Sequence, residues 1–168
     1  MPRKVWLGAG LSALIAVAVV AGVAPATGSE NRASDRVTLH LLITEPAFTE
    51  VDLTGEGETA GDLLVVDSPL YNRNRTRQVG HTPLSCVVVR VGANPRCNGE
   101  LVLEGFGQIT LQGVFGEDED RMAITGGTGV FAEANGQTQA MFDPAAGALR
   151  LTVHLQGVRR HDVRRLLD

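Results

Sequence analysis

The sequence predicts an all-β fold on three observations. From Val37 onward, apolar and polar residues alternate at period two. Roughly eight such short runs follow one another, with Gly, Pro and Asn between them. No stripe with the helical period of about 3.6 interrupts them. Many short strands with frequent turns make a sandwich or a closed barrel.

The runs are read in order. Val37, Leu39 and Leu41 alternate with Thr38, His40 and Leu42, and Glu56-Gly57-Glu58 breaks this first region. Residues 62–67 form a short apolar strand, and residues 72–77 a polar loop with three arginines. The valine-rich segment 84–91 is the clearest β-run. Residues 92–95 are a turn, and 97–103 the return strand. Segments 107–115, 122–125, 136–142 and 148–156 complete the set. In the last, Leu149, Leu151, Val153 and Leu155 share one face.

The N-terminus reads differently. Arg3 and Lys4 precede an uncharged run from Val5 to Val23 and an Ala24-Pro25-Ala26 triplet. These are the parts of a secretory signal peptide. A retained membrane anchor is the competing reading, because about 20 apolar residues span a bilayer. The expected organisation is a signal over 1–26, a disordered leader over 27–36, a β-barrel domain over 37–157 and an Arg-rich tail over 158–168. Localisation would be secreted or cell-surface, with no stable membrane insertion after cleavage.

The formal net charge is −4, and losing Arg3 and Lys4 would take it to −6. Such a balance gives no electrostatic footprint for nucleic acid. Two cysteines, Cys86 and Cys97, flank the turn at 92–95. In an oxidising compartment they form one hairpin disulfide; otherwise they are free thiols, one of them reactive. Two cysteines alone make no zinc site, and no metal is expected.

Two stretches carry a resemblance. The first is GDLLVVDSPLY over 61–71, followed by Val79-Gly80 and CVVV over 86–89. The second is GQITLQG over 107–113, followed by AITGGTGVF over 123–131 and Ala134-Asn135-Gly136. Together they resemble the allene oxide cyclases and, more loosely, the dirigent proteins. The resemblance implies an eight-stranded antiparallel closed barrel with an internal ligand cavity, assembled as a homotrimer and needing no cofactor. Allene oxide cyclases close a reactive fatty-acid epoxide; dirigent proteins steer the coupling of phenolic intermediates.

The resemblance also nominates residues. Asp67 matches an aspartate of the dirigent segment, and Ser68 stands where the cyclases have a polar asparagine. Cys86 occupies the place of a pocket-lining cysteine, and Tyr71 closes the first block. The cyclases' catalytic glutamate on the first strand aligns with either Ile43 or Glu45. On this reading Asp67 and Glu45 are catalytic, and Ser68, Cys86 and Tyr71 bind substrate.

Each candidate has a plainer reading. Asp67 is either a buried acid with a raised pKa or a turn cap before Ser68-Pro69. Glu45 is either a second interior acid or an exposed strand-end residue. Gly126-Gly127-Thr128-Gly129 lacks the lysine of a phosphate loop and reads as a tight turn. The acidic run 117–120 reads as a solvated hairpin tip rather than a calcium loop. Arg73, Arg75 and Arg77 either clamp an anionic head group or line a solvated loop. His40, His81 and His154 have no ligand spacing.

The expected function is an exported barrel binding a small, largely apolar molecule, as a cofactor-independent cyclase or isomerase. The alternatives are a non-catalytic dirigent-like binder and a structural or interaction protein with a filled barrel.

Overall fold

The computed structural model describes residues 36–44, 47–116 and 120–167. Among these lie nine strands: β1 (Val37–Ile43), β2 (Ala47–Val51), β3 (Leu63–Asn72), β4 (Gln78–Val87), β5 (Arg96–Leu103), β6 (Gly107–Val114), β7 (Asp120–Gly127), β8 (Asn135–Asp143) and β9 (Ala148–Gln156). All pairings are antiparallel. Strands β3 to β9 form a meander, β9 pairs with β1, and β1 pairs with β3. That last pairing closes an eight-stranded barrel, and β2 is the extra strand. Closure removes the free edges that an open sheet would expose.

The strand containing 62–67 runs further than the alternation predicts, through Pro69 to Asn72. Proline lacks the N–H that a ladder needs. On the β1–β2 side, Pro69 falls between the last β2 pair, at Asp67, and the first β1 pair, at Leu70, so no bond is lost there. Pro83 uses the same device in β4, within the gap between the His81 and Leu84 pairings to β5. For that reason β4 begins at Gln78 rather than 84; it ends at Val87 rather than 91, where its pairing with β5 ends at Arg96.

Strands β1 and β2 pair along the same edge of β3 with an offset. Ile43 stands opposite Leu70, yet Ala47 stands opposite Asp67. The connection therefore has one residue more than the β3 segment it passes. One extra residue inverts the facing of everything after it. Odd positions face inward in β1, whereas in β2 the inward position is Phe48, which pairs with inward-facing Val66.

The barrel has two unlike ends. At one end lie the start of β1, the end of β9 and the loop after β7. Here the short 3-10 turn Gly129–Phe131 delivers Phe131, wholly buried, into the core. The glycine-rich segment before it is a close-approach turn. A side chain at Gly127 would strike the carbonyls of Gln108 and Phe131, and Gly129 holds a positive φ of 61°. The Arg-rich tail completes this seal. Val158, Val163 and Leu166 are buried in the same cluster as Leu39, Leu70 and Ile109. The tail's helix α1 (Arg164–Leu167) is held by Arg77, whose Nη2 donates to the Arg165 carbonyl at 2.6 Å. Arg77 is thus a structural contact, and the tail belongs to the barrel's core.

The other end, the mouth, carries the ends of β4, β6 and β8, together with β2, whose second edge has no ladder partner among the described residues. The loop joining β2 to β3 is organised by two carboxylates. Asp62 accepts from Leu53 N–H at 3.0 Å and from Thr59 N–H at 2.6 Å. Asp52 accepts from Gly55 N–H at 2.7 Å. These N–H donors, from Leu53 on Asp62 and from Gly55 on Asp52, hold both carboxyl pKa values below the usual 3.8. A depressed folded-state pKa stabilises above the unfolded value and is lost as pH falls through the folded one. The melting temperature should therefore fall as pH drops below about 4, near the free aspartate value. Asp62→Asn should flatten that acid limb; an unchanged limb would contradict the assignment.

Candidate functional site

The interior between the sealed end and the mouth is the site. Period-two facing sends alternate residues of every strand inward. From β3 come Val66 and Ser68; from β4, Thr82 and Leu84; from β5, Leu101; from β6, Leu111. Met122 on β7, Thr138 and Ala140 on β8, and Leu149 and Leu151 on β9 continue the ring. Ile43, Phe48 and Phe115 complete the lining. The cavity measures about 60 Å³.

Its chemistry is set by three hydroxyls in an apolar wall. Thr82 Oγ1 donates to the Glu100 carbonyl at 2.9 Å, so its proton is used. Thr138 is buried on β8. Ser68 is 1% exposed, and its Oγ has no hydrogen-bond partner among the described residues. An orphaned buried hydroxyl costs about 1–3 kcal/mol. Ser68→Ala should therefore raise stability, by about 1–2 kcal/mol in urea denaturation. A loss of stability would mean that the hydroxyl is already satisfied. No described lining residue is ionisable.

The structure sorts the sequence candidates by facing. Val66 and Ser68 point inward, so Asp67 between them points out. Its side chain is 63% exposed, and it accepts from His81 Nδ1 at 2.9 Å. The buried-acid reading is corrected accordingly: two adjacent strand residues cannot both face one interior. As an exposed pair, Asp67 and His81 contribute little to stability. Asp67 instead borders an open exterior groove of about 780 Å³ across β3 to β7, with Ser85, Asn98, Glu100 and Gln112. That groove is larger than the interior cavity but encloses nothing.

Tyr71 lies beyond Leu70 on the outward alternation of β3 and does not line the cavity. Glu45 lies outside the described residues, as do residues 117–119 of the acidic run and everything before residue 36. Ile43, its alternative in the alignment, lines the cavity. Cys86 and Cys97 are direct cross-strand partners joined as a disulfide. Both are fully buried, so Cys86 is no free thiol and is not among the cavity-lining residues.

Sequence reasoning missed Thr82, Thr138, Phe48 and Phe115. The two threonines had a signal: each stands in phase with apolar neighbours, Thr82 with Leu84 and Thr138 with Ala140. Phe48 had none, because its facing depends on the extra residue between β1 and β2.

No known family model matches the sequence. Solved structures do match in fold. A pyocyanin demethylase superposes with a TM-score of 0.59 at 23% identity, covering 70% of this chain and 99% of that one. A pterocarpan synthase dirigent protein gives 0.55 at 16% identity, covering 74% of this chain and 88% of that one. An exo-specific intermolecular Diels-Alderase gives 0.56 at 14% identity, covering 73% and 99%. In fold, the eight-stranded barrel is similar to these structures, a dirigent protein among them, as the residue pattern over 61–136 implied.

Proposed function

We propose that this barrel is a cyclase-like or dirigent-like protein that holds a small, largely apolar molecule in its open half. The observation that carries this reading is Ser68: a buried, unpartnered hydroxyl in a largely apolar cavity near the mouth. The fold neighbours support it, since a Diels-Alderase and a dirigent protein share the architecture.

The chemistry that fits is confinement. Holding a flexible molecule in one reactive conformation can lower a barrier by roughly 7–11 kcal/mol. The described lining offers no acid or base for proton transfer. The unpartnered Ser68 hydroxyl is available to stabilise charge developing on an oxygen. The buried disulfide fits work outside the cytoplasm, and no described helix is long and apolar enough to cross a membrane.

A second reading rests on the volume. Ligand pockets commonly hold about 300–1,000 Å³, and this cavity holds about 60 Å³. On that reading the barrel is a filled scaffold that works through its exterior. The test is retention of small molecules from a metabolite extract, read by mass spectrometry. Wild type should retain an apolar compound, and Ala140→Leu, which fills the cavity, should lose it. Equal retention by both, or none by either, favours the scaffold.

A further inference from the structure

We infer that the ligand is a neutral, elongated apolar molecule whose single oxygenated end, a carbonyl or hydroxyl, meets Ser68 while its body lies in the barrel mouth. This deepens the ligand-handling reading and rests on it. Three observations converge.

The first is polarity. Ser68 Oγ is a fully buried polar atom of the cavity wall with no partner among the described residues, and its O–H needs an acceptor. A neutral oxygen supplies one. A carboxylate would lose its hydration among side chains that offer no counter-charge, which is far more costly than burying a neutral polar group.

The second is size. About 60 Å³ admits an oxygenated end and its first carbons, not a whole substrate. The rest of the molecule must lie outward of the cavity.

The third is what lies outward. The chain has five phenylalanines, and three stand at the mouth. Phe48 and Phe115 line the opening, and Phe142 pairs with the lining residue Leu149. Phe48 is 49% exposed and Phe142 65% exposed. Every large hydrophobic side chain exposed among the described residues belongs to this half: β2 and its following loop, the mouth-side parts of β3, β4, β6 and β8, and the β4–β5 loop. Among the described residues, the sealed end exposes none. Val65, Val87 and Met141 face outward by alternation, but Phe48 and Phe142 share the inward alternation of Val66 and Leu149, and exposed apolar surface at such a rim marks a binding surface. Its position around the opening to Ser68 fits a ligand that continues out of the cavity.

The experiment is a calorimetric titration of the full chain with methyl nonyl ketone and with undecanoate. The ketone should bind, with undecanoate at least about tenfold weaker. Ser68→Ala should weaken the ketone by roughly three- to tenfold, the loss of one neutral hydrogen bond. Phe142→Ala, exposed and remote from the core, should weaken it too. Equal binding of ketone and carboxylate, or an unchanged affinity in Ser68→Ala, overturns the inference while ligand binding stands. Failure of both probes to bind wild type removes the inference, and the ligand-handling reading is then decided by the metabolite-retention test alone.

Discussion

Phe131→Ala should destabilise the barrel by about 3–5 kcal/mol, the cost of deleting a fully buried aromatic ring. The ring closes one end of the barrel, packed in the cluster that includes Val163 and Leu166 from the tail. The glycine-rich turn before it cannot relax into the space, because Gly127 already sits against the carbonyls of Gln108 and Phe131. Phe131→Leu keeps most of the volume and should cost less than about 1.5 kcal/mol. Urea denaturation of both variants checks the pair. Phe131 does not line the cavity, so any folded fraction should keep its ligand affinity. Equal, small losses in both variants would show that the seal is not packed as described.

Removing the disulfide should cost about 3 kcal/mol, read as the stability difference between wild type and the Cys86→Ala, Cys97→Ala double variant. The bridge joins residues 11 apart across the β4–β5 connection. Constraining that short loop in the unfolded chain is the main source of the effect in the chain-entropy view. The site sits beyond Leu84 and Leu101 toward the mouth, so the mouth-side ends of β4 and β5 should lose amide-exchange protection first. Reduction of the wild-type bridge under denaturing conditions should lower stability by a similar amount. No stability loss on either route would contradict the bridge's contribution.

How much of this was legible beforehand depends on which rule each element obeys. Strand β9 appears with its predicted bounds, because Leu149 to Leu155 alternate without interruption. The cysteine pair is also found as the hairpin suggested. Elements that break the local rule were misjudged. The expected strands 62–67 and 84–91 stop short of Pro69 and Pro83, and each proline is accommodated by a gap between pairings on one side of its strand. The tail's Val163 and Leu166 are visible among four arginines, and a short helix or a frayed end both fit that pattern; their burial in the core comes from tertiary packing that the local sequence does not contain.

The site was legible by residue type but not by facing. Asp67 and Ser68 were both nominated, and the alternation of β3 admits only Ser68 to the interior. The mouth was hidden for another reason. Phe48 faces in only because β1 and β2 are offset by one residue, a tertiary register that no local window contains.

The central claim is that the interior around Ser68, rather than the outer groove at Asp67, receives the ligand. The chain carries a built-in probe for this. Met122 lines the cavity, and Met141 lies exposed on the outside of β8. With isotope-labelled methionine methyl groups, addition of methyl nonyl ketone should shift the Met122 resonance and give a direct ligand-to-methyl Overhauser contact. Ser68→Ala should weaken both signals. A silent Met122, with ligand contacts instead at Asn98, Gln112 and Thr125 on the outer groove, would contradict the account.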